Sequence, residues 1–231
     1  MCGRYSLAAP DPAALRARFG LHEEFEIRPR FNVAPGSEVL AVLGGEGEPE
    51  GALLRWGLVP HWAEKMSGGR PLINARAETV SSKPAFRDAF RRHRCLVIAD
   101  GFYEWQPTGT GKQPYWIARA DHAPFAFAGL WAPPADPAPG ALATCAILTT
   151  TANEVVAPIH ARMPVILEPG AEGLWLAPTD DPGSLLSCLG PFPAHLTAAR
   201  PVSRAVNDAR CDDERCIGPA GLDGGDTATL F

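Results

Sequence analysis

The 231-residue sequence lacks any apolar run near the ~18 consecutive residues that a membrane-spanning helix requires. Its first twelve residues, MCGRYSLAAPDP, also lack the apolar stretch of a secretory signal peptide. We therefore expect a cytoplasmic protein that does not contact a membrane.

Cysteine is sparse, and its spacing lacks the pattern of a metal site. The six cysteines are scattered, no two are arranged as CxxC, and Cys211 and Cys216 stand five positions apart. This spacing argues against a zinc site or a disulfide framework. We predict no metal and no cofactor, and we expect most of the cysteines to be small buried side chains.

An excess of positive charge is also missing, because the formal net charge is −5. Its distribution is uneven: residues 51–100 carry nine Lys and Arg against four Asp and Glu, whereas residues 101–231 carry seven against fourteen. A local basic face on an acidic protein suits a short nucleic-acid segment held at one place. Charge alone favours a simpler interpretation, a solvated helix face formed by Arg87, Arg91, Arg92 and Arg94.

Turn-forming residues are abundant, with 24 Pro and 23 Gly beside 46% hydrophobic residues, which indicates a folded domain with many loops. Asp11-Pro12 and Gly20 bracket one short predicted helix. Further helices are predicted at 82–93, 152–157, 171–176 and 183–189, and strands at 38–43, 52–56, 95–99, 102–106, 114–118, 125–131, 144–149 and 164–167. Because strands outnumber helices and do not alternate with them, we predict an α+β fold around a curved, mainly antiparallel sheet.

Cys2 is the first candidate for chemistry. Removal of Met1 would leave an α-amine and a thiol on one residue, with ordinary pKa values of ~7.7–8.0 and ~8.5. Such a 1,2-aminothiol reacts with an aldehyde: the amine forms a Schiff base, and the thiol then closes a thiazolidine ring. A ring-opened abasic deoxyribose offers this aldehyde. Position alone favours the alternative, an ordinary cysteine that follows a retained Met1.

Eight sequence segments, taken in order, favour the reactive interpretation of Cys2. They are MCGRY (1–5), FNVAPG (31–36), RWGLVPHW (55–62), INARAET (73–79), GFYEW (101–105), IHARMPVIL (159–167), PVSRAVND (201–208) and ERCIG (214–218). Together they resemble the SOS-response-associated peptidase (SRAP) family over nearly the whole chain. The resemblance implies one SRAP domain over residues 1–218, with a barrel-like sheet core flanked by short helices, and a flexible tail over residues 219–231.

The same resemblance implies an abasic-site sensor that binds single-stranded DNA and forms a covalent thiazolidine crosslink through Cys2. It implies self-removal of Met1, lyase-like processing and protection of the lesion during replication. The active residues carried over by motif position are Cys2, Asn74, Glu104 and His160.

Each of the last three has a chemical use and a plainer alternative. Glu104 lies between aromatic residues that would raise its pKa for acid–base work, but without the motif it is a surface carboxylate. His160 can exchange protons near neutrality, but most lone histidines are structural. Asn74 can orient the Cys2 amine or a sugar hydroxyl, or it is a turn residue.

Six residues are predicted to contact DNA: Arg4, Pro35, Trp62, Arg76, Trp105 and Arg162. The arginines suit bidentate contacts to phosphate oxygens. The tryptophans and the proline offer apolar surfaces to flanking bases. The alternative for the arginines is structural ion pairing with Glu78 or Glu104.

Two other function classes remain open. Class II glutamine amidotransferases also begin with Met-Cys-Gly and use Cys2 as a nucleophile on an amide. A non-catalytic single-strand DNA-binding module is the other. We further expect a monomer that associates with the nucleoid when bound to DNA. The final Leu230-Phe231 resembles a sliding-clamp peptide, although folding back of this pair onto an apolar patch is the favoured interpretation.

Overall fold

The computed structural model describes residues 2–22, 26–44, 49–60, 71–134, 140–179 and 181–221. These residues form thirteen strands and four α-helices. The strands are β1 (Tyr5–Leu7), β2 (Arg30–Val33), β3 (Glu38–Leu43), β4 (Glu50–Trp56), β5 (Asn74–Arg76), β6 (Arg94–Ala99), β7 (Gly101–Thr108), β8 (Gly111–Arg119), β9 (Phe125–Ala132), β10 (Thr144–Thr151), β11 (Arg162–Pro164), β12 (Ile166–Leu167) and β13 (Thr197–Pro201). The helices are α1 (Pro12–Phe19), α2 (Arg87–Arg92), α3 (Pro169–Leu176) and α4 (Pro182–Ser187).

The strands form two sheets. The smaller has the order β13-β8-β7-β1-β2, and its neighbouring strands are antiparallel. The larger has eight strands, of which β10, β4, β3, β6 and β9 form a closed ring. Among the described strands, the only parallel pairs are β10 with β4 and β10 with β5. The predicted α+β fold with mainly antiparallel sheets is confirmed.

One face of the smaller sheet packs on the ring through aromatic side chains. Tyr5 of β1 contacts Trp56 and Phe127, with ring centroids 5.4 and 5.7 Å apart. Phe102 of β7 makes an edge contact with Phe127 at 6.3 Å. Such pairs add to the free energy of burying each ring. This packing places β1, which begins three residues after Cys2, inside the molecule.

Local sequence explains the best-predicted elements. Asp11 accepts hydrogen bonds from the N–H groups of Ala13 and Ala14, and Gly20 ends α1 in the left-handed conformation at φ 64°. The predicted strands 38–43 and 95–99 correspond to β3 and β6. None of the helices in the described ranges is long and apolar enough to cross a membrane.

Two helix predictions need correction. The helix predicted at 152–157 is absent: residues 154–159 form turns, because Pro158 has no N–H to continue a helical ladder. The predicted helix at 82–93 is helical only over Arg87–Arg92. Pro84 disfavours helical geometry in the residue before it, so the chain reaches α2 through turns.

The arginines near this helix do not all lie on a solvated face. Arg87, Arg91 and Arg92 are exposed, as that interpretation predicts. Arg94 belongs to β6 and is buried, and it donates to the carbonyl oxygens of Phe90, Trp175 and Ala177. Arg94 therefore joins α2 and the end of α3 to the ring, and its charge does not add to a basic surface.

Candidate active site

The residues that follow Cys2 lead directly into strand β1, which lies inside the smaller sheet. Strand β1 lies between β2 and β7, and the Tyr103 N–H donates to the Arg4 carbonyl oxygen at 3.0 Å. The Cys2 side chain has no exposed surface, and its Sγ contacts the same Arg4 carbonyl at 3.7 Å. Cys2 is therefore an ordered interior residue and not part of a loose terminus.

Asn74 and Glu104 come from different strands and both face the start of the chain. Asn74 Nδ2 donates to the Cys2 carbonyl oxygen at 2.8 Å. Asn74 Oδ1 is buried and has no hydrogen-bond partner among the described residues. Glu104 of β7 is buried and lies near enough for its charge to act on the Cys2 thiol. An amide acceptor and a carboxyl group thus adjoin the residue that carries the thiol.

His160 completes the group from the turn before β11. Its Nδ1 lies 3.9 Å from Glu104 Oε1. The N–H group and the carbonyl oxygen of Arg162 both lie 3.0 Å from the same Nδ1, so the ring is held against the start of β11. The fold thus brings together the four residues that the resemblance implied, although they come from positions up to 158 residues apart in sequence, as the numbers 2 and 160 show.

Burial controls the electrostatics of this cluster. Burial raises the pKa of Glu104 above its usual range, and nearby positive charge, including that of His160, opposes the shift. Burial, followed by the negative charge of Glu104, raises the pKa of the Cys2 thiol. The buried thiol is therefore neutral at pH 7, and the ionised form of Glu104 can accept its proton when it reacts.

The three candidate arginines differ in their surroundings. Arg162 forms an ion pair with Glu78 at 2.5 Å and donates to the Thr149 carbonyl oxygen at 2.6 Å. Arg76 of β5 is exposed. Arg4 points inward, where Nη1 donates to Asn32 Oδ1 and to the Val206 carbonyl oxygen, each at 2.9 Å. A phosphate contact from any of the three stays a prediction.

The residues predicted to contact DNA bases also lie in different parts of the structure. Pro35 lines a cleft of about 720 Å³ together with Trp56 and Ile73, the residue before Asn74. Trp105 is partly exposed and donates from Nε1 to Asn207 Oδ1 at 2.7 Å. Trp62 lies outside the described residues, and so do Leu230 and Phe231. Trp56 is buried.

Asn32 is a residue whose importance sequence reasoning missed. It is 2% exposed, and its Nδ2 donates to the carbonyl oxygens of Val206, Asp208 and Cys211 at 3.2, 3.0 and 2.7 Å. Its Oδ1 accepts from Arg4, two positions after Cys2. The signal was present in the FNVAPG motif, which has a polar residue at a buried strand position.

The described residues contain no group of three or more His, Cys, Asp or Glu side chains that could hold a metal ion. Four of the six cysteines, Cys2, Cys95, Cys145 and Cys216, are buried. This agrees with the expectation that most are small interior side chains.

The fold and the cluster define a mixed α/β domain that encloses its second residue beside an amide, a carboxyl group and an imidazole. Residues 1–209 match the family described as SOS response associated peptidase (SRAP). The chain belongs to the SRAP family. The family match decides between the two families that share the Met-Cys-Gly start.

Three named relatives and one solved structure extend this result. The chain is 40% identical to abasic site processing protein YoqW of Bacillus subtilis over 222 residues, covering 94% of this chain and 99% of that one. It is 33% identical to YedK of Escherichia coli, with 95% and 100% covered, and 33% identical to HMCES of Gallus gallus, with 96% and 79% covered. Both carry the same description. A crystal structure of a Bacteroides thetaiotaomicron protein matches with a TM-score of 0.80 at 27% identity, covering 95% of this chain and 100% of that one.

Proposed function

We propose that this protein processes abasic sites in single-stranded DNA by linking the ring-opened sugar covalently to Cys2 after removal of its own Met1. The adduct is a thiazolidine that protects the lesion during replication. The observation that carries this proposal is the convergence of Asn74, Glu104 and His160 on the second residue of the chain. The names of the relatives support abasic sites as the substrate.

The reaction needs two bonds to form at one carbon. The free Cys2 amine adds to the C1′ aldehyde, and the resulting carbinolamine takes up a proton and loses water to give a protonated imine. The Cys2 sulfur then adds to the imine carbon, and the thiol proton replaces the proton that was taken up. No oxidant or external group is consumed, and water is the leaving product.

The neighbouring groups suit these proton transfers. Glu104 keeps its proton to a higher pH than an ordinary carboxyl group and can donate it to the departing hydroxyl. The resulting carboxylate can accept the thiol proton. His160 can protonate the sugar oxygen as the ring opens. The buried Asn74 Oδ1 is available to a sugar hydroxyl or to the Cys2 amine.

Intact mass measurement tests the proposal directly. The purified chain is weighed with and without a single-stranded oligonucleotide that contains one abasic site, after denaturation. We expect the mass of the chain without Met1, and a second species heavier by the oligonucleotide less one water. An oligonucleotide with a reduced, aldehyde-free sugar is the control. A chain that retains Met1 and forms no adduct would contradict the proposal.

Substitution of the arginines tests the DNA contacts. We expect Arg76→Ala and Arg162→Ala to weaken single-strand binding and to lower the log–log salt slope by ~0.7 for each lost phosphate contact. Arg28→Ala is the matched control, because Arg28 is an exposed arginine that is also paired with a glutamate, Glu26. Binding measured by anisotropy at several salt concentrations checks this. Slopes equal to that of the control would make both arginines structural.

Asn32→Ala tests whether the anchor of Arg4 matters for capture. The change removes one of the two acceptors of Arg4 Nη1 and one donor to each of three carbonyl groups, so we expect the free energy of unfolding to fall by about 2 kcal/mol. We also expect slower adduct formation at unchanged DNA affinity. Arg30→Ala perturbs the same strand through its ion pair with Asp212 and serves as the control. Equal adduct rates in both variants would assign Asn32 a purely structural role.

A further inference from the structure

A pair of thiols lies outside the candidate active site, where residues 208–218 pack against β2. The sulfur atoms of Cys211 and Cys216 are 3.3 Å apart. A disulfide bond is about 2.0 Å long, so the two atoms must approach by only about 1 Å. Both side chains are reduced in the structure. No role for this pair follows from the chemistry at Cys2.

We propose that Cys211 and Cys216 form an oxidation site, a dithiol that a low-molecular-weight disulfide converts into an intramolecular disulfide bond. This reaction goes beyond the proposed DNA chemistry and does not depend on it.

Exposure to solvent, together with an adjacent thiol, distinguishes this pair from the other four cysteines. Cys211 is partly exposed, whereas Cys2, Cys95 and Cys145 have no exposed surface. Cys188 is the other partly exposed cysteine, and its Sγ contacts the Ser184 carbonyl oxygen instead of a second sulfur. Cys211 is therefore the cysteine among the six that combines access with an adjacent thiol.

The covalent steps follow thiol–disulfide exchange. The Cys211 thiolate attacks one sulfur of the reagent, and the reagent's other half leaves as a thiolate. The Cys216 sulfur then attacks Cys211 Sγ in this mixed disulfide. The second half leaves as a thiol and takes up the Cys216 proton. The two cysteines lose two protons and two electrons, and the reagent gains both to become two thiols.

The different surroundings of the two cysteines determine which of them reacts first with the reagent. Cys216 is buried, and its Sγ also contacts the Cys211 carbonyl oxygen at 3.2 Å. Burial, followed by its hydrogen bond with Cys211, raises the pKa of Cys216 to about 12. Cys216 is thus unsuited to react first with an external reagent. It is held where it outcompetes dissolved thiols for a modified Cys211, because a neighbouring group has a high effective concentration.

The disulfide bond would constrain residues 211–216, the segment that supports strands β1 and β2. Asp212 Oδ1 accepts from the N–H groups of Phe31 and Asn32, at 2.6 and 2.8 Å. The Cys211 carbonyl oxygen accepts from Asn32, which in turn holds Arg4. Closing the loop 211–216 reduces the freedom of this segment in the unfolded chain. Oxidation therefore strengthens the anchor of Arg4 while Cys2 stays reduced in the interior.

Tryptic mapping tests the proposal on the full chain. The reduced protein is treated under native conditions with bis(2-hydroxyethyl) disulfide, an uncharged reagent, and remaining thiols are alkylated. Trypsin cuts after Arg210 and Arg215, so Cys211 and Cys216 fall in separate peptides, CDDER and the C-terminal CIGPAGLDGGDTATLF. We expect these two peptides to be recovered mainly as one disulfide-linked species. We also expect Cys2 to be recovered alkylated after unfolding.

Single substitutions separate the two roles. Cys216→Ser should accumulate the mixed disulfide at Cys211, and Cys211→Ser should leave Cys216 unmodified while Cys188 reacts. The oxidised parent should have a higher urea midpoint than the reduced parent, and Cys211→Ser should show no such difference. Separate, unlinked peptides under conditions that modify Cys188 would overturn the oxidation site. A disulfide-linked species with an unchanged urea midpoint would show that the disulfide bond does not stabilise the folded chain.

Discussion

Cys2→Ser is expected to reduce the denaturant-stable DNA adduct to background while leaving single-strand affinity close to that of the parent. Serine keeps the α-amine, so the imine can still form, but its hydroxyl is a far weaker nucleophile than a thiol for closing the ring. The substitution also suits the site sterically, because the buried Sγ makes only a weak 3.7 Å contact with a carbonyl oxygen.

Two gel measurements on one variant separate the steps at Cys2. Without reductant, Cys2→Ser should give no stable adduct; with borohydride present during the reaction, the trapped imine should appear. Cys188→Ser, which alters a cysteine outside the cluster, should behave as the parent in both. A full yield of stable adduct from Cys2→Ser without reductant would show that sulfur does not close the ring.

Glu104→Gln is expected to slow adduct formation by ~10²–10⁴, the usual effect of losing a positioned proton donor or acceptor. Glutamine keeps the shape of the side chain, so DNA affinity should change little. In the parent, a Glu104 that acts as an acid gives a rate that falls as pH rises through its raised pKa. The variant should lack this fall. Single-turnover rates across pH measure it, and identical profiles would remove Glu104 from the reaction.

The same variant should be at least as stable as the parent at neutral pH. The folded-state pKa of Glu104 is raised above 4.5, so the folded chain binds its proton more tightly than the unfolded chain does. The parent therefore loses stability as pH rises from the unfolded to the folded pKa, and glutamine avoids this loss. Urea unfolding at pH 4 and pH 7 should show the advantage of Glu104→Gln only at the higher pH. A variant that is less stable at pH 7 would mean that Glu104 is held for structural reasons.

The best-predicted elements are those whose signals are local. The cap residues around α1 and the continuous apolar run of β6 are within a few positions of the residues that they organise. Strands β1 and β2 were missed, since three or four residues without alternation carry no periodic signal. These two strands form because they pair with each other and because β1 also pairs with β7, which lies about a hundred positions further along the chain.

The candidate site also combines features that the sequence predicts with features that depend on distant parts of the chain. Motif order predicted Cys2, Asn74, Glu104 and His160 as site residues, and the fold places their side chains close together. The sequence could not show that Arg162 is paired with Glu78, or that Arg4 points to Asn32 and not to solvent. Residue type and spacing define what a guanidinium can bind, whereas the partner it actually meets depends on strands far away in sequence.

The family, the α+β class, the short capped helix and the residue types available for chemistry follow from the sequence, because they depend on composition, motif order and neighbouring positions. The tertiary structure alone decided that the Cys2 thiol is enclosed, that burial raises the pKa of Glu104, and that Cys211 and Cys216 touch. The physical reason is that burial and contact arise from non-local strand pairing, which closes the ring and covers it with the smaller sheet.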